Sequence, residues 1–259
     1  MTDRFYQVGN AVVLAGVLVT NALANALPIA GRTTGEVSDM YPNLFTPAGI
    51  TFSIWGVLYL GLLIFVVLQF RGFSGKRPAP DYISSIGPWF MINGVCNVCW
   101  ILVWHHLLLI PSLVFMAGIL TTLVIIYRRL DGYSWDTYGW VKAPFSAYLA
   151  WICVASLANV TAFLTDAGYG GEPLGPRIWT AVLATGAAIT GFWMLIRYRD
   201  PFFSLVICWA LAGIVIKLRA SYDWGVSPVW VAGVLAILLL GGTLMKSVQV
   251  LLLRKRTTT

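Results

Sequence analysis

Gly49-Ile50-Thr51-Phe52-Ser53-Ile54-Trp55-Gly56-Val57-Leu58-Tyr59-Leu60-Gly61-Leu62-Leu63-Ile64-Phe65-Val66-Val67-Leu68-Gln69-Phe70 carries no formal charge from end to end. A helix rises about 1.5 Å per residue and needs about 20 apolar residues to cross a bilayer, so this stretch alone is long enough to span. Pro47 stands before it and Arg71 closes it. Seven more runs have the same character: residues 8–30, 83–104, 107–127, 141–164, 177–198, 201–216 and 226–253, the seventh span (201–216) being the shortest. The whole chain agrees with them. Of 259 residues 59% are apolar and only 10% charged, against about 25% charged in an ordinary soluble domain. One soluble core cannot hide that much apolar surface. The reading is an all-α, polytopic membrane helix bundle of eight transmembrane helices. Disordered, collagenous and disulfide-stapled classes are excluded by composition. Cys96, Cys99, Cys153 and Cys208 all fall inside apolar runs and read as buried free thiols.

The basic residues test the count. With eight spans and both termini on one side, that side holds Arg4, Arg71, Lys76, Arg77, Arg128, Arg129, Lys142, Arg197, Arg199, Arg254, Lys255 and Arg256. The other holds Arg32, Arg177, Lys217 and Arg219. Twelve against four is a strong positive-inside bias, and it predicts two cytoplasmic termini; the expected location is the bacterial inner (plasma) membrane. The net charge of +7 is therefore topology and not a nucleic-acid surface. The first span is too long for a signal-peptide core. Helices six to eight do not echo one to three, which argues against an inverted-repeat transporter.

The span interiors carry essentially no ionisable groups, Lys246 lying near enough to the end of the last span to snorkel, so proton relays and charged filters are disfavoured. No phosphate loop, zinc-ligating helix or nucleophile elbow occurs. His105 and His106 stand at a helix end and read as solvated interfacial imidazoles, not as metal ligands. What remains is amides and aromatics. Given the topology, Asn21, Asn25, Asn97, Trp100, Trp151, Ala155 and Asn159 fall in the outer halves of spans one, three and five, and Trp55 and Tyr59 in the outer half of span two. Over them runs the 31–48 connection with Tyr41, Pro42, Asn43, Phe45 and Pro47, long enough to act as a lid. Any one of these amides alone reads first as interhelical glue. Together with the tryptophans they outline an apolar pocket with polar anchors, suited to a flat hydrophobic ligand.

At these residues the sequence resembles the TspO/MBR family, the translocator or tryptophan-rich sensory proteins. Ser53-Ile54-Trp55-Gly56-Val57-Leu58-Tyr59 is similar to the family's Pro-Val-Trp-x-x-Leu-Tyr run, with Ser53 in place of the proline. Asn97-Val98-Cys99-Trp100 is similar to its Asn-x-x-Trp element. Tyr148-Leu149-Ala150-Trp151 with Asn159 is similar to its fifth-helix motif. The resemblance covers residues 8–164 and implies a five-helix core whose pocket takes a tetrapyrrole, porphyrin or haem, with no obligatory cofactor. Carried over, Trp55, Asn97, Trp100, Trp151 and Ala155 line it, and Phe45 stands in for a loop tryptophan. Tyr59 and Asn159 join them by depth. The expected division is a core at 1–165 and a three-helix extension at 166–259. The leading expectation is a ligand binder in a sensory, regulatory or transport role. The alternatives are a membrane enzyme that modifies or degrades a porphyrin, and a structural assembly subunit. Expected partners are a hydrophobic small molecule and the bilayer, with no nucleic acid. Gly241-Gly242 in the last span permits close backbone approach and with it a possible homodimer.

Overall fold

A computed structural model describes residues 2–27, 29–71, 73, 80–221 and 227–257. The basic residues Lys76 and Arg77 lie outside the described residues, as do the side chains of Arg254, Lys255 and Arg256. All regular structure among the described residues is helical. The helices are α1 (Thr2–Ala26), α2 (Thr34–Asp39), α3 (Ile54–Gln69), α4 (Asp81–Ile86), α5 (Trp89–His105), α6 (Leu109–Arg129), α7 (Trp135–Asp166), α8 (Gly175–Arg197), α9 (Pro201–Ser221) and α10 (Ser227–Thr257). Among the described residues, six stretches are long and apolar enough to cross a membrane: Asp3–Ala26, Gly49–Gln69, Leu109–Arg129, Trp135–Asp166, Gly175–Arg197 and Pro201–Ala220. Trp89–His105 and Trp230–Lys246 are shorter apolar helices. Outward-facing Val12, Val19, Val57, Leu60, Ile64 and Val67 suit lipid, where a soluble fold would expose an aggregation surface. The molecule is an all-α, multi-pass membrane protein.

The third apolar run differs from its sequence reading. It is not one helix. Gly87 takes φ 58, ψ −137 and ends α4, and Pro88 precedes α5. The positive φ suits glycine, and proline removes a backbone donor, so the helix breaks there.

Packing divides the chain into two compact units, Met1–Tyr41 with Phe52–Ile152, and Pro42–Thr51 with Cys153–Thr259. In the first unit α1 packs on α3, α4 and α5, and α5 on α6. A methyl on Gly94 of α5 would come within 2.7 Å of Val13 Cγ2, so the glycine sets the α1–α5 approach. A methyl on Gly61 would lie 3.1 Å from Cβ of Pro144, and this small residue seats α3 against the proline of α7. Phe65, Phe90 and Phe145 form a triangle of edge-on rings 5.0–5.8 Å apart. Amides join α1 to the end of α3. Gln7 Nε2 donates to the Gln69 carbonyl (2.6 Å), Gln69 Nε2 donates to the Gln7 carbonyl (3.0 Å), and Asn10 Nδ2 donates to Gln69 Oε1 (3.0 Å). Sequence reasoning passed over these three residues because they sit at span ends, where polar side chains are ordinary.

In the second unit α8, α9 and α10 pack mutually. Asp200 starts α9 by accepting from the N–H groups of Phe202 (3.1 Å) and Phe203 (3.2 Å), as an N-terminal cap does. Gly242 faces Phe192 and Leu195 of α8, which is packing inside the unit. The Pro42–Thr51 segment is fastened to α9: the Ala48 N–H donates to the Gly213 carbonyl (3.0 Å), and Trp209 Nε1 donates to the Thr51 carbonyl (2.9 Å). Any side chain at Gly213 would overlap Thr51.

Candidate ligand site

Trp55 is the centre of the first unit's aromatic cluster. It enters from the second position of α3 and stacks on Tyr59 one turn later, ring centres 5.3 Å apart and planes 21° from parallel. Trp100 of α5 tilts against it at 6.2 Å. From α7, Tyr148 and Trp151 meet it edge-on at 5.8 and 6.2 Å, the geometry that aromatic quadrupoles favour. Phe52 meets Trp151 edge-on at 5.9 Å. Trp104 stacks on Trp100 at 6.0 Å and its Nε1 donates to the Thr34 carbonyl. Trp104 and Tyr148 were not expected in the site. The four-residue spacing from Trp100 to Trp104 is the signal that finds the first, since it puts both rings on one helix face.

An amide chain crosses beneath these rings. Asn21 Nδ2 donates to Asn97 Oδ1 (3.0 Å), and Asn97 Nδ2 donates to the Tyr148 hydroxyl (2.8 Å). Asn25 Nδ2 returns to the Asn21 carbonyl of its own helix (2.9 Å). Asn97 is fully buried, and this pairing offsets the several kcal/mol, roughly, that a bare amide costs in hydrocarbon. Three donors in the cluster are left over. Trp100 Nε1 and Trp151 Nε1 are buried without an acceptor. The Tyr59 hydroxyl lies beside the Asn21 and Asn97 amides without an aligned hydrogen bond.

The structure thus brings Trp55, Tyr59, Asn97, Trp100 and Trp151 together in one unit. Ala155 and Asn159 follow Trp151 at four-residue spacing along α7 but belong to the second unit, as does Phe45. Phe45 is buried there, and its N–H donates to Asn43 Oδ1 (3.1 Å), which also accepts from the N–H of Thr46 (2.9 Å).

His105 corrects an expectation. It is fully buried instead of solvated, with Nε2 3.1 Å from Thr34 Oγ1 and Nδ1 3.2 Å from the Ile29 carbonyl. Both ring nitrogens are thereby occupied in tying α5 to the start of α2 and to the connection before it. His106 is exposed, and its Nδ1 stays on the Leu102 carbonyl of its own helix.

A family model described as TSPO-like protein matches residues 7–245. The match runs from α1 into α10, past the five-helix stretch that carries the motifs. No curated protein and no solved structure matches the chain.

Proposed function

The chain belongs to the TSPO-like protein family, and from that premise we propose that it binds a tetrapyrrole, or a similarly flat hydrophobic ligand, among the aromatic rings around Trp55. The role is sensory, regulatory or transport-like, in a bacterial inner membrane with both termini cytoplasmic. One observation carries the reading: Trp100 and Trp151 are only 4% and 2% exposed, and their buried indole N–H groups have no acceptor. A buried unpaired donor costs about 1–3 kcal/mol. A ligand with carbonyl or carboxylate oxygens on an apolar plate relieves that cost at both tryptophans. The plate also replaces ring-on-ring contacts with ring-on-ligand contacts of the same kind, so opening the cluster loses little stacking. The amide chain Asn21–Asn97–Tyr148 holds the floor in place while the rings move.

The test is titration of the full chain in nanodiscs with protoporphyrin, followed by tryptophan quenching. Trp100→Phe and Trp151→Phe keep an apolar ring and delete the donor. Each is expected to weaken binding about tenfold, while Trp230→Phe, at an exposed position of α10, leaves it unchanged. Equal affinity in all three variants refutes the assignment.

A further inference from the structure

The second unit has a cleft of about 500 Å³, inside the roughly 300–1,000 Å³ range of small-molecule sites. It lies where Pro42–Leu44, the last turns of α7, the glycine-containing connection after α7 and the first turn of α8 meet. None of the residues in the aromatic cluster around Trp55 lines it. Its chemistry separates into three kinds of surface.

The first is cationic. Arg177 is exposed at the cleft, and among the described residues its guanidinium has no hydrogen-bond or ion-pair partner. It stands in the first turn of α8, where Leu174 supplies no side-chain cap. The positive end of the α8 dipole therefore lies at the same rim. The nearby Glu172 carboxylate is turned back onto the Gly170 N–H (3.1 Å).

The second surface accepts hydrogen bonds. Thr161, Thr165 and Thr180 line the cleft, yet each hydroxyl donates its proton to its own helix, at the Leu157 carbonyl (2.8 Å), the Thr161 carbonyl (2.9 Å) and the Pro176 carbonyl (2.8 Å). These oxygens keep only lone pairs to offer. The third surface is apolar, made by Leu44, Leu164 and the Trp179 ring.

An occupant that satisfies all three carries an anion for Arg177, hydroxyl donors for the threonines and an apolar body for the wall. We propose that this cleft is a binding site for the anionic, hydroxyl-bearing head of a phosphoglycerol compound. A guanidinium fork matches phosphate oxygens in a bidentate manner. The head can belong to a membrane lipid or to a water-soluble phosphate. The proposal does not rest on tetrapyrrole binding.

Native mass spectrometry of the detergent-solubilised full chain tests it, with three probes titrated separately: phosphatidylglycerol, phosphatidylcholine and glycerol 3-phosphate. Phosphatidylglycerol is expected to be retained at one site in preference to phosphatidylcholine. Arg177→Gln is expected to lower that affinity about tenfold, Arg177→Lys less, and Thr165→Val about fivefold. Retention of glycerol 3-phosphate without phosphatidylglycerol supports the same chemistry with a soluble source. Failure of wild type to retain either phosphoglycerol probe overturns the proposal. So does equal retention of the two lipids without glycerol 3-phosphate binding, or wild-type affinity in Arg177→Gln whatever Thr165→Val does.

Discussion

Asn97 uses both ends of its amide inside the protein, accepting from Asn21 and donating to Tyr148. Replacing it with leucine strands two buried polar groups on two helices. Interhelical hydrogen bonds in membranes are worth roughly 0.6–2 kcal/mol each. Asn97→Leu is therefore expected to destabilise the fold by about 1–3 kcal/mol, read as a lower melting temperature in detergent. A double-mutant cycle with Asn21→Leu should return a coupling of about 1 kcal/mol; zero coupling would mean that the two amides act independently. Glycines offer a sharper contrast. Gly94→Ala drives a methyl to 2.7 Å from Val13, whereas Gly16→Ala on α1 meets nothing within 4 Å. The first should cost about 1–3 kcal/mol by overpacking, and the second should be neutral or stabilising by up to about 1 kcal/mol. Both melting temperatures are simple to measure side by side. The polar character and depth of Asn21 and Asn97 were legible in the sequence, but their partnership was not. A period of 3.6 residues says which face a side chain takes, and says nothing about which helix that face meets. His105 misled for the same reason: its position at a helix end was legible, while the Thr34 hydroxyl and Ile29 carbonyl that enclose it come from the start of α2 and the connection before it.

Elements were easiest to read where apolar length alone decides them, and hardest where one residue breaks or ties them. Each of the eight apolar runs contains a helix, yet the third is split at Gly87-Pro88, because hydropathy averages over a break that backbone geometry imposes. The short α2 is set by a capping box. Thr33 Oγ1 accepts from the Glu36 N–H (3.3 Å), and Glu36 Oε2 accepts from the Thr33 N–H (2.7 Å). The backbone hydrogen bond from Thr33, with its hydroxyl, holds the Glu36 carboxyl below the ordinary glutamate range. A carboxyl with a lowered folded value stabilises the fold above its unfolded value, and that contribution is lost as pH falls through the folded one. Acidification from neutral pH to below the ordinary glutamate range should therefore lower the hydrogen-exchange protection of α2 relative to the intrinsic exchange rate. Glu36→Gln should show no such pH step; a step that persists in the variant would place the titrating group elsewhere. The fastening of Pro42–Thr51 to α9 was invisible in the sequence, since Trp209 and Thr51 stand 158 residues apart. Trp209→Phe keeps the ring and removes the donor to the Thr51 carbonyl. It should release that segment, read as faster limited proteolysis within residues 42–51, with a loss of about 1 kcal/mol in global stability. Unchanged cleavage would show that the Ala48–Gly213 hydrogen bond suffices.

At the scale of the whole molecule, charge and helix count constrain each other. Among the described residues, six stretches are individually long enough to cross, and Trp89–His105 and Trp230–Lys246 are apolar but shorter. If both shorter helices cross, the number of crossings is even and the two ends of the chain share a side. If exactly one of them lies in the interface, the ends are opposed. Basic residues discriminate between these cases. Arg4 over Phe73 and Arg129 over Trp89 set guanidinium groups 5.7 Å from ring centres, pairings suited to the headgroup level where aromatic and basic side chains anchor spans. With eight crossings, the connections carrying Arg71, Arg128 and Arg197 all fall on the side of Arg4, and the bias is twelve to four. With seven crossings, loss of the third span inverts every later connection: Arg128, Arg129, Lys142, Arg197, Arg199, Arg254, Lys255 and Arg256 join Arg32, while Arg177, Lys217 and Arg219 join Arg4, and the bias disappears. A bilayer with an anionic inner leaflet orients chains by that bias at roughly 1 kcal/mol per basic residue near the surface, so the eight-span arrangement is expected. Reporter fusions at the N-terminus, the C-terminus and the 31–48 connection measure it directly. Both termini should report the cytoplasmic side and the connection the opposite one. A C-terminal reporter on the outer side with an N-terminal reporter inside would reduce the crossings to an odd number. Removing the fusion points one span at a time would then identify whether Trp89–His105 or Trp230–Lys246 fails to cross.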